Sequence, residues 1–369
     1  MKIKPMTKFA ILALSLVLVA CAGGGSEEAG CPAIDGREIN VVATTPMIGE
    51  FVSQVGGENI NLTVLMPPEA NPHTYEPAPQ DAGTIAEADL VFYTGLLYEP
   101  AALVKLLENS ACSTDILSEV GESVFPIEFK EGGHDDHDDH DDHDDHDDEE
   151  GHDDHDDEEG HDDEEGHDDE EGHDDEEGHD DEEGHDDHEG HNHGAYDPHF
   201  WFDPSRVAYA AEYIESRLIQ FDPENESSYI SSADSFVSEL NDLTKQVSEL
   251  ISTVPSQNRK LITTHESLGY LEAKFGLEVL STIIPSLNSA NEISPSDLAG
   301  VIDVIEDNNV KVIFIESEAP SVYSETIVAE TGIKPVTGLY VETLKPGQSY
   351  SEFLISNVTL ITENLQDTD

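Results

Sequence analysis

Basic side chains are scarce in this chain. Fifteen Lys and Arg stand against 83 Asp and Glu, for a formal net charge of −68. A surface of that sign argues against nucleic acid or an anionic membrane face as partner. Cysteine is nearly absent: Cys21, Cys31 and Cys112 are the only three, with no Cys-x-x-Cys, so no thiolate metal site is in view. The apolar run from Phe9 to Val19 is too short for a comfortable membrane span. The familiar catalytic signatures are missing as well. There is no Gly-x-Ser-x-Gly elbow, Walker loop or Gly-x-Gly-x-x-Gly. His265-Glu266 opens like His-Glu-x-x-His, but Gly269 stands where the second helical ligand belongs. Outside one tract, even histidine is reduced to His73, His199 and His265.

That tract runs from His134 to His193. It repeats His-Asp-Asp and then His-Asp-Asp-Glu-Glu-Gly, and holds 15 of the 18 histidines, 37 acidic residues and no Lys or Arg. The histidines are His134, His137, His140, His143, His146, His152, His155, His161, His167, His173, His179, His185, His188, His191 and His193. Almost nothing apolar offsets the entropy of ordering such a segment, and its charges repel. Gly at every sixth position also works against a helix, so a disordered surface loop is expected. A plain acidic run would be read as a solvating surface with no ligand. Regularly spaced imidazoles shift the reading toward zinc, copper or nickel, because carboxylate alone suits calcium or magnesium. We expect the loop to gather metal weakly.

Lys2, Lys4 and Lys8, the apolar run, and Leu18-Val19-Ala20 before Cys21 form a secretory signal over residues 1–20. The cut before Cys resembles the bacterial lipoprotein signal, which makes Cys21 the lipidated terminus; the plainer alternative is an ordinary cleaved signal peptide. Ala22 to Ser26 follows as a flexible tether, giving a linker over 21–38. The expected location is extracytoplasmic, anchored by lipid to the cell membrane, in the periplasm or on its outer face. Cys31 and Cys112 remain as an even pair that an oxidising compartment can join, although sequence alone does not bring them close.

Strand-like and helix-like segments then alternate. Ile39–Thr45, Ile60–Met66 and Asp89–Thr94 read as strands, with helices over Met47–Val55 and Glu99–Leu107. This rhythm predicts a parallel sheet covered on both faces. Ser205–Ile219 is helical, and a longer helix starts at Asp222-Pro223. Its apolar stripe is Tyr229, Ala233, Phe236, Leu240, Leu243, Val247 and Leu250. At 1.5 Å per residue it would reach roughly 45 Å. The second half repeats the rhythm: strands over Lys260–Thr264, Glu278–Ile284, Val310–Ile315 and Val336–Val341, helices over Ser267–Phe275, Ser296–Glu306, Ser324–Thr331 and Tyr350–Leu365. We expect an N-terminal domain over 39–222 containing the loop, a linking helix over 223–254 and a C-terminal domain over 255–369.

The three remaining histidines all lie in loops or at strand ends, where open α/β sheets place their ligands. Any one alone would more often be an ordinary histidine; together, beside a His-rich tract, they form a candidate metal set. Tyr93, Tyr98, Phe200 and Trp201 read as packing around the cleft rather than as a stacking site. The segments Asn71-Pro72-His73-Thr74-Tyr75-Glu76-Pro77, Asp197-Pro198-His199-Phe200-Trp201-Phe202-Asp203-Pro204, Thr264-His265-Glu266-Ser267-Leu268-Gly269-Tyr270 and Ile315-Glu316 resemble the signature stretches of the metal-binding solute receptors of bacterial ABC transporters. The zinc-uptake branch is the nearer match, since its members often carry a His/Asp-rich loop at this point.

The resemblance implies two Rossmann-like α/β domains with parallel sheets, joined by one long rigid helix, with metal in the cleft between them. It implies His73 and His199 as ligands from the first domain and His265 from the second. The fourth family ligand is usually Asp; the matching stretch here is Tyr340-Val341-Glu342-Thr343-Leu344, so Glu342 takes that place. Three imidazoles with one carboxylate or water suit tetrahedral zinc, whereas the manganese branch has a carboxylate in place of His265. The expected cargo is therefore Zn2+, with Mn2+ second. The expected partners are the membrane permease and ATPase of a metal importer, and the receptor is expected to be monomeric and not an enzyme. Three alternatives stay open: a manganese or iron receptor of the same family, a metal store in which the loop is the main function, and a zinc hydrolase with Glu266 or Glu342 as base.

Overall fold

The computed structural model describes residues 31, 34, 36–129, 196–318 and 322–366. The signal over 1–20, Cys21 and the tract over 134–193 lie outside them. The first sheet contains β1 (Ile39–Ala43), β2 (Ile60–Val64), β3 (Leu90–Tyr93) and β4 (Leu117–Glu119), in the order β2-β1-β3-β4. All its pairings are parallel. Between the strands run α1 (Pro46–Gly56), α2 (Pro79–Ala86) and α3 (Ala101–Ser110), and α4 (Pro204–Phe221) follows. After α5 (Glu226–Ser252) a second parallel sheet uses β5 (Lys260–His265), β6 (Glu278–Ile284), β7 (Val312–Glu316) and β8 (Lys334–Leu339), ordered β6-β5-β7-β8. Its helices are α6 (Gly269–Phe275), α7 (Pro295–Asp307), α8 (Val322–Thr331) and α9 (Tyr350–Gln366).

The strands alternate between two cores, as the two-residue side-chain period requires. In the first sheet Val41, Ala43, Leu90 and Phe92 face a large central core, while Val42 and Val91 face a smaller one under α2 and α3. In the second sheet Leu261, Val312 and Phe314 join the central core, and Ile262 and Ile313 face a third cluster under α7 and α8. The central core is thus shared by both halves. The stripe of α5 runs through it and packs on α1 and α4 from one side and α9 from the other.

Two details differ from the periodicity argument. The α-helix begins at Glu226, because Pro223–Asn225 forms a 3-10 turn first; its 27 residues span about 40 Å. Ahead of that turn the Asp222 carboxylate accepts from Asn225 Nδ2 at 2.7 Å and Tyr229 OH at 2.6 Å. The stripe also ends on buried Ile251 rather than Leu250, which is only partly covered. A four-residue step keeps the last contact on the inner face of a 3.6-residue helix. Cys31 and Cys112 are joined, their Cα atoms 5.1 Å apart, tying the chain ahead of β1 to the segment after α3. Among the described residues no helix is long and apolar enough to cross a membrane.

Candidate metal centre

The carboxyl ends of both sheets meet along one seam, and the candidate ligands come from each side of it. His73 sits in a short 3-10 turn after β2, entered through Pro72. Asn71 caps that turn, its side chain accepting from the His73 N–H at 2.9 Å. The same Asn71 amide crosses the seam, donating to Ser289 Oγ at 3.0 Å and the Glu318 carbonyl at 3.2 Å. His199 precedes the Phe200–Phe202 turn ahead of α4. Trp201 in that turn donates to the Val341 carbonyl at 2.8 Å, and Tyr350 OH donates to the Trp201 carbonyl at 2.7 Å. The aromatic run therefore fastens the His199 loop to the opposite half. His265 is the last residue of β5, next to β7, where the strand order of the second sheet reverses.

His73, His199, His265 and Glu342 converge, one possible donor atom from each lying within 4.8 Å of the others. The imidazole centroids are 6.3, 6.1 and 5.3 Å apart. Glu342 Oε1 lies 3.0 Å from His73 Nε2 and 2.9 Å from His265 Nε2, and its Oε2 lies 3.5 Å from His199 Nε2. Two rings are held from behind by carboxylates. Asp197 Oδ1 accepts from His199 Nδ1 at 2.8 Å, and Glu316 Oε2 accepts from His265 Nδ1. A carboxylate on Nδ1 leaves the Nε2 lone pair free for a cation, an arrangement common behind metal-binding histidines. The buried Nε2 atoms of His199 and His265 make no hydrogen bond, although each faces a Glu342 oxygen, at 3.5 and 2.9 Å.

Glu316 reaches its position through a register shift between Ile315 and Glu316, where β8 inserts an extra residue. That residue is Gly338 at φ +96, a backbone conformation that side-chain-bearing residues rarely adopt. Electrostatics bind the cluster together. Burial alone would lower the His199 pKa, but Glu342 and Asp197 outweigh it and push the ring up to about 9. Burial likewise opposes the charge on His265, which Glu316 and then Glu342 raise well above the ordinary value. Burial would raise Glu342, yet the three imidazoles hold it well below the usual carboxylate range.

Several residues here were not singled out from sequence. Tyr98, read there as packing, donates its hydroxyl to Glu342 Oε2 at 2.9 Å. Burial, reinforced by Glu342, raises that hydroxyl well above its ordinary pKa, so it remains a donor. Asp197 and Glu316 stood within recognised stretches; Asp197 meets the His199 ring through a two-residue turn, its Oδ1 also accepting from the His199 N–H at 2.8 Å, whereas only the fold aims Glu316 at His265. Glu318, pushed up to about 8 by burial and then by Glu342 and Glu316, accepts from the Glu342 N–H at 3.4 Å. Glu266 is outside the cluster and accepts from Thr282 instead.

Two parallel α/β halves bridged by one helix, with imidazoles and a carboxylate meeting at their seam, define a metal-binding solute receptor. The chain belongs to the family described as zinc-uptake complex component A, periplasmic, whose model matches residues 41–364. This is a family of substrate-binding receptors of metal ABC transporters, not of enzymes. The chain is similar to the high-affinity zinc uptake system protein ZnuA of Bacillus subtilis, 26% identical over 367 residues, covering 97% of this chain and 96% of that one. It is also similar to the manganese-binding lipoprotein MntA of Halalkalibacterium halodurans, 20% identical over 363 residues and 97% of each chain. Its fold is that of the periplasmic zinc-binding protein TroA from Treponema pallidum, with TM-score 0.67, 19% identity, and coverage of 89% of this chain and 99% of that one.

Proposed function

We propose that this receptor carries Zn2+, held by His73, His199, His265 and Glu342, and delivers it to the permease of an importer at the outer face of the cell membrane. The observation that carries the reading is the donor set itself: three imidazoles and one carboxylate within 4.8 Å, with the Nε2 atoms of His199 and His265 both facing Glu342. Imidazole suits zinc, and four ligands match its tetrahedral preference. The core that continues across both halves favours a small closure over a wide hinge. Anchoring through Cys21 is in keeping with the lipoprotein relatives. The His/Asp-rich tract, which in sequence ends shortly before His199, raises the local supply of metal, as any linked second site does.

A manganese cargo is the second reading, favoured by the names of relatives such as the manganese lipoproteins PsaA of Streptococcus anginosus and MntA. His265 weighs against it, since an imidazole there makes the donor set softer than manganese prefers. Calorimetric titration of the full chain and of a form lacking residues 134–193 tests the proposal. The expected outcome is one tight zinc equivalent in both, with several weaker equivalents only in the full chain. Loss of the tight equivalent on deletion, or tighter binding of manganese than zinc, would overturn it.

A further inference from the structure

The loop from Gly95 to Tyr98 has three consecutive residues in the left-handed region: Gly95 at φ +77, Leu96 at +53 and Leu97 at +61. Two of these are leucines, for which that backbone is costly. The loop is nevertheless pinned. Glu99 accepts from the Thr94 N–H at 2.7 Å, the Gly95 N–H at 2.9 Å and Thr44 Oγ1 at 2.7 Å. Glu119 accepts from the Leu96 N–H at 2.8 Å. Gly95 has no room for a side chain, because a Cβ there would lie 2.0 Å from Glu119 Oε1. All this holds Tyr98, 1% exposed, so that its hydroxyl crosses the seam to Glu342 Oε2 at 2.9 Å and the Glu342 carbonyl at 3.1 Å.

We infer that Tyr98 is a specificity-determining residue: by hydrogen-bonding Glu342 Oε2, it limits that carboxylate to one metal-binding oxygen, Oε1. The inference rests on the zinc reading above. Oε1 is the oxygen within 3.0 Å of the His73 and His265 Nε2 atoms, whereas Oε2, 3.5 Å from His199 Nε2, accepts from the tyrosine. One oxygen and three imidazoles make a four-coordinate site, which suits zinc. A carboxylate free to bind through both oxygens raises the coordination number and suits harder cations that take more oxygen ligands. Glutamate, one methylene longer than aspartate, carries its second oxygen as far as Tyr98 while Oε1 stays among the imidazoles. Tyr98 touches no cation in this scheme; it acts by positioning the carboxylate.

The test uses the full chain and Tyr98→Phe, loaded with Co2+ as a spectroscopic probe and titrated with Zn2+ and Mn2+ in competition. The wild-type protein should give the intense visible bands of tetrahedral Co2+. X-ray absorption of its zinc form should show four light-atom neighbours. In Y98F the Co2+ bands should weaken toward a five-coordinate spectrum, and the zinc-over-manganese preference should fall roughly tenfold, the size of losing one hydrogen bond to a charged group. An unchanged spectrum and ratio in Y98F would overturn the inference while leaving the zinc reading intact. A five-coordinate zinc shell in the wild-type protein would overturn it without recourse to the variant. A wild-type protein that binds no zinc would remove the zinc reading itself.

Discussion

The two sheets share one strand order but use its reversal point differently. In the second half, β5 ends on His265 and β7 ends on Glu316, and the pair sits between the two strands with an imidazole nitrogen facing the cluster. In the first half the matching place, after β1 and β3, is taken by Thr44 and the buried Glu99. There the carboxylate turns inward onto the backbone of the Gly95–Tyr98 loop, and burial pushes its pKa up despite the hydrogen bonds from Thr44, Thr94 and Gly95. The first half brings its own imidazoles from two loops, at His73 and His199. The same crevice thus presents a candidate ligand in one half and closes over a loop-holding carboxylate in the other. Fold alone does not say which crevice does chemistry; the side chain at the strand end does.

Four substitutions separate the halves. His265→Ala should weaken zinc binding by about a thousandfold or more, about 4 kcal/mol, read by competition with a chelator. A variant that still holds zinc at wild-type affinity would erase the contrast. Glu99→Gln should act on stability: an amide in place of a buried acceptor of three hydrogen bonds costs about 3 kcal/mol. Denaturant unfolding checks this, and an unmoved midpoint would mean that the first-half carboxylate holds nothing. Glu316→Gln should cost roughly 10- to 100-fold in zinc affinity, the usual effect of losing the group behind a metal-binding imidazole. A larger loss of stability than of affinity would make it resemble Glu99. The mildest change, Thr44→Val, removes one hydroxyl from Glu99 and should cost about 1 kcal/mol of stability. Its zinc affinity should stay within about twofold, since the Thr94 and Gly95 N–H groups still hold Glu99 and its loop; a tenfold loss would show that the two are coupled.

The alternation of strands and helices was legible in sequence because buried parallel strands read as apolar runs and α5 carries an unbroken stripe. The short β4 and the eight-residue α2 escaped that reading. Each has too little periodicity to stand out, and tertiary contacts rather than local pattern hold it in place. The helical reading at Glu99 failed for a different reason. Pro100 precedes the first turn of α3 and sets its start at Ala101, leaving Glu99 to serve the loop.

By itself the sequence narrowed the candidates for the site. Only three histidines stand outside the tract, and each lies beside a proline or at a strand end, so few residues competed for the role. Tertiary structure decided the rest. It brought His73 and Glu342, 269 residues apart in the chain, to 3.0 Å. It placed Glu316, 51 residues along the chain, behind the His265 ring, and laid Tyr98 of one half on Glu342 of the other. Those pairings have no local signature, because they depend on sheet register, one glycine at φ +96 in β8 and a core packed across both halves. A side chain's identity is written in the chain, but which of its atoms remains free for a cation depends on what the fold sets against it.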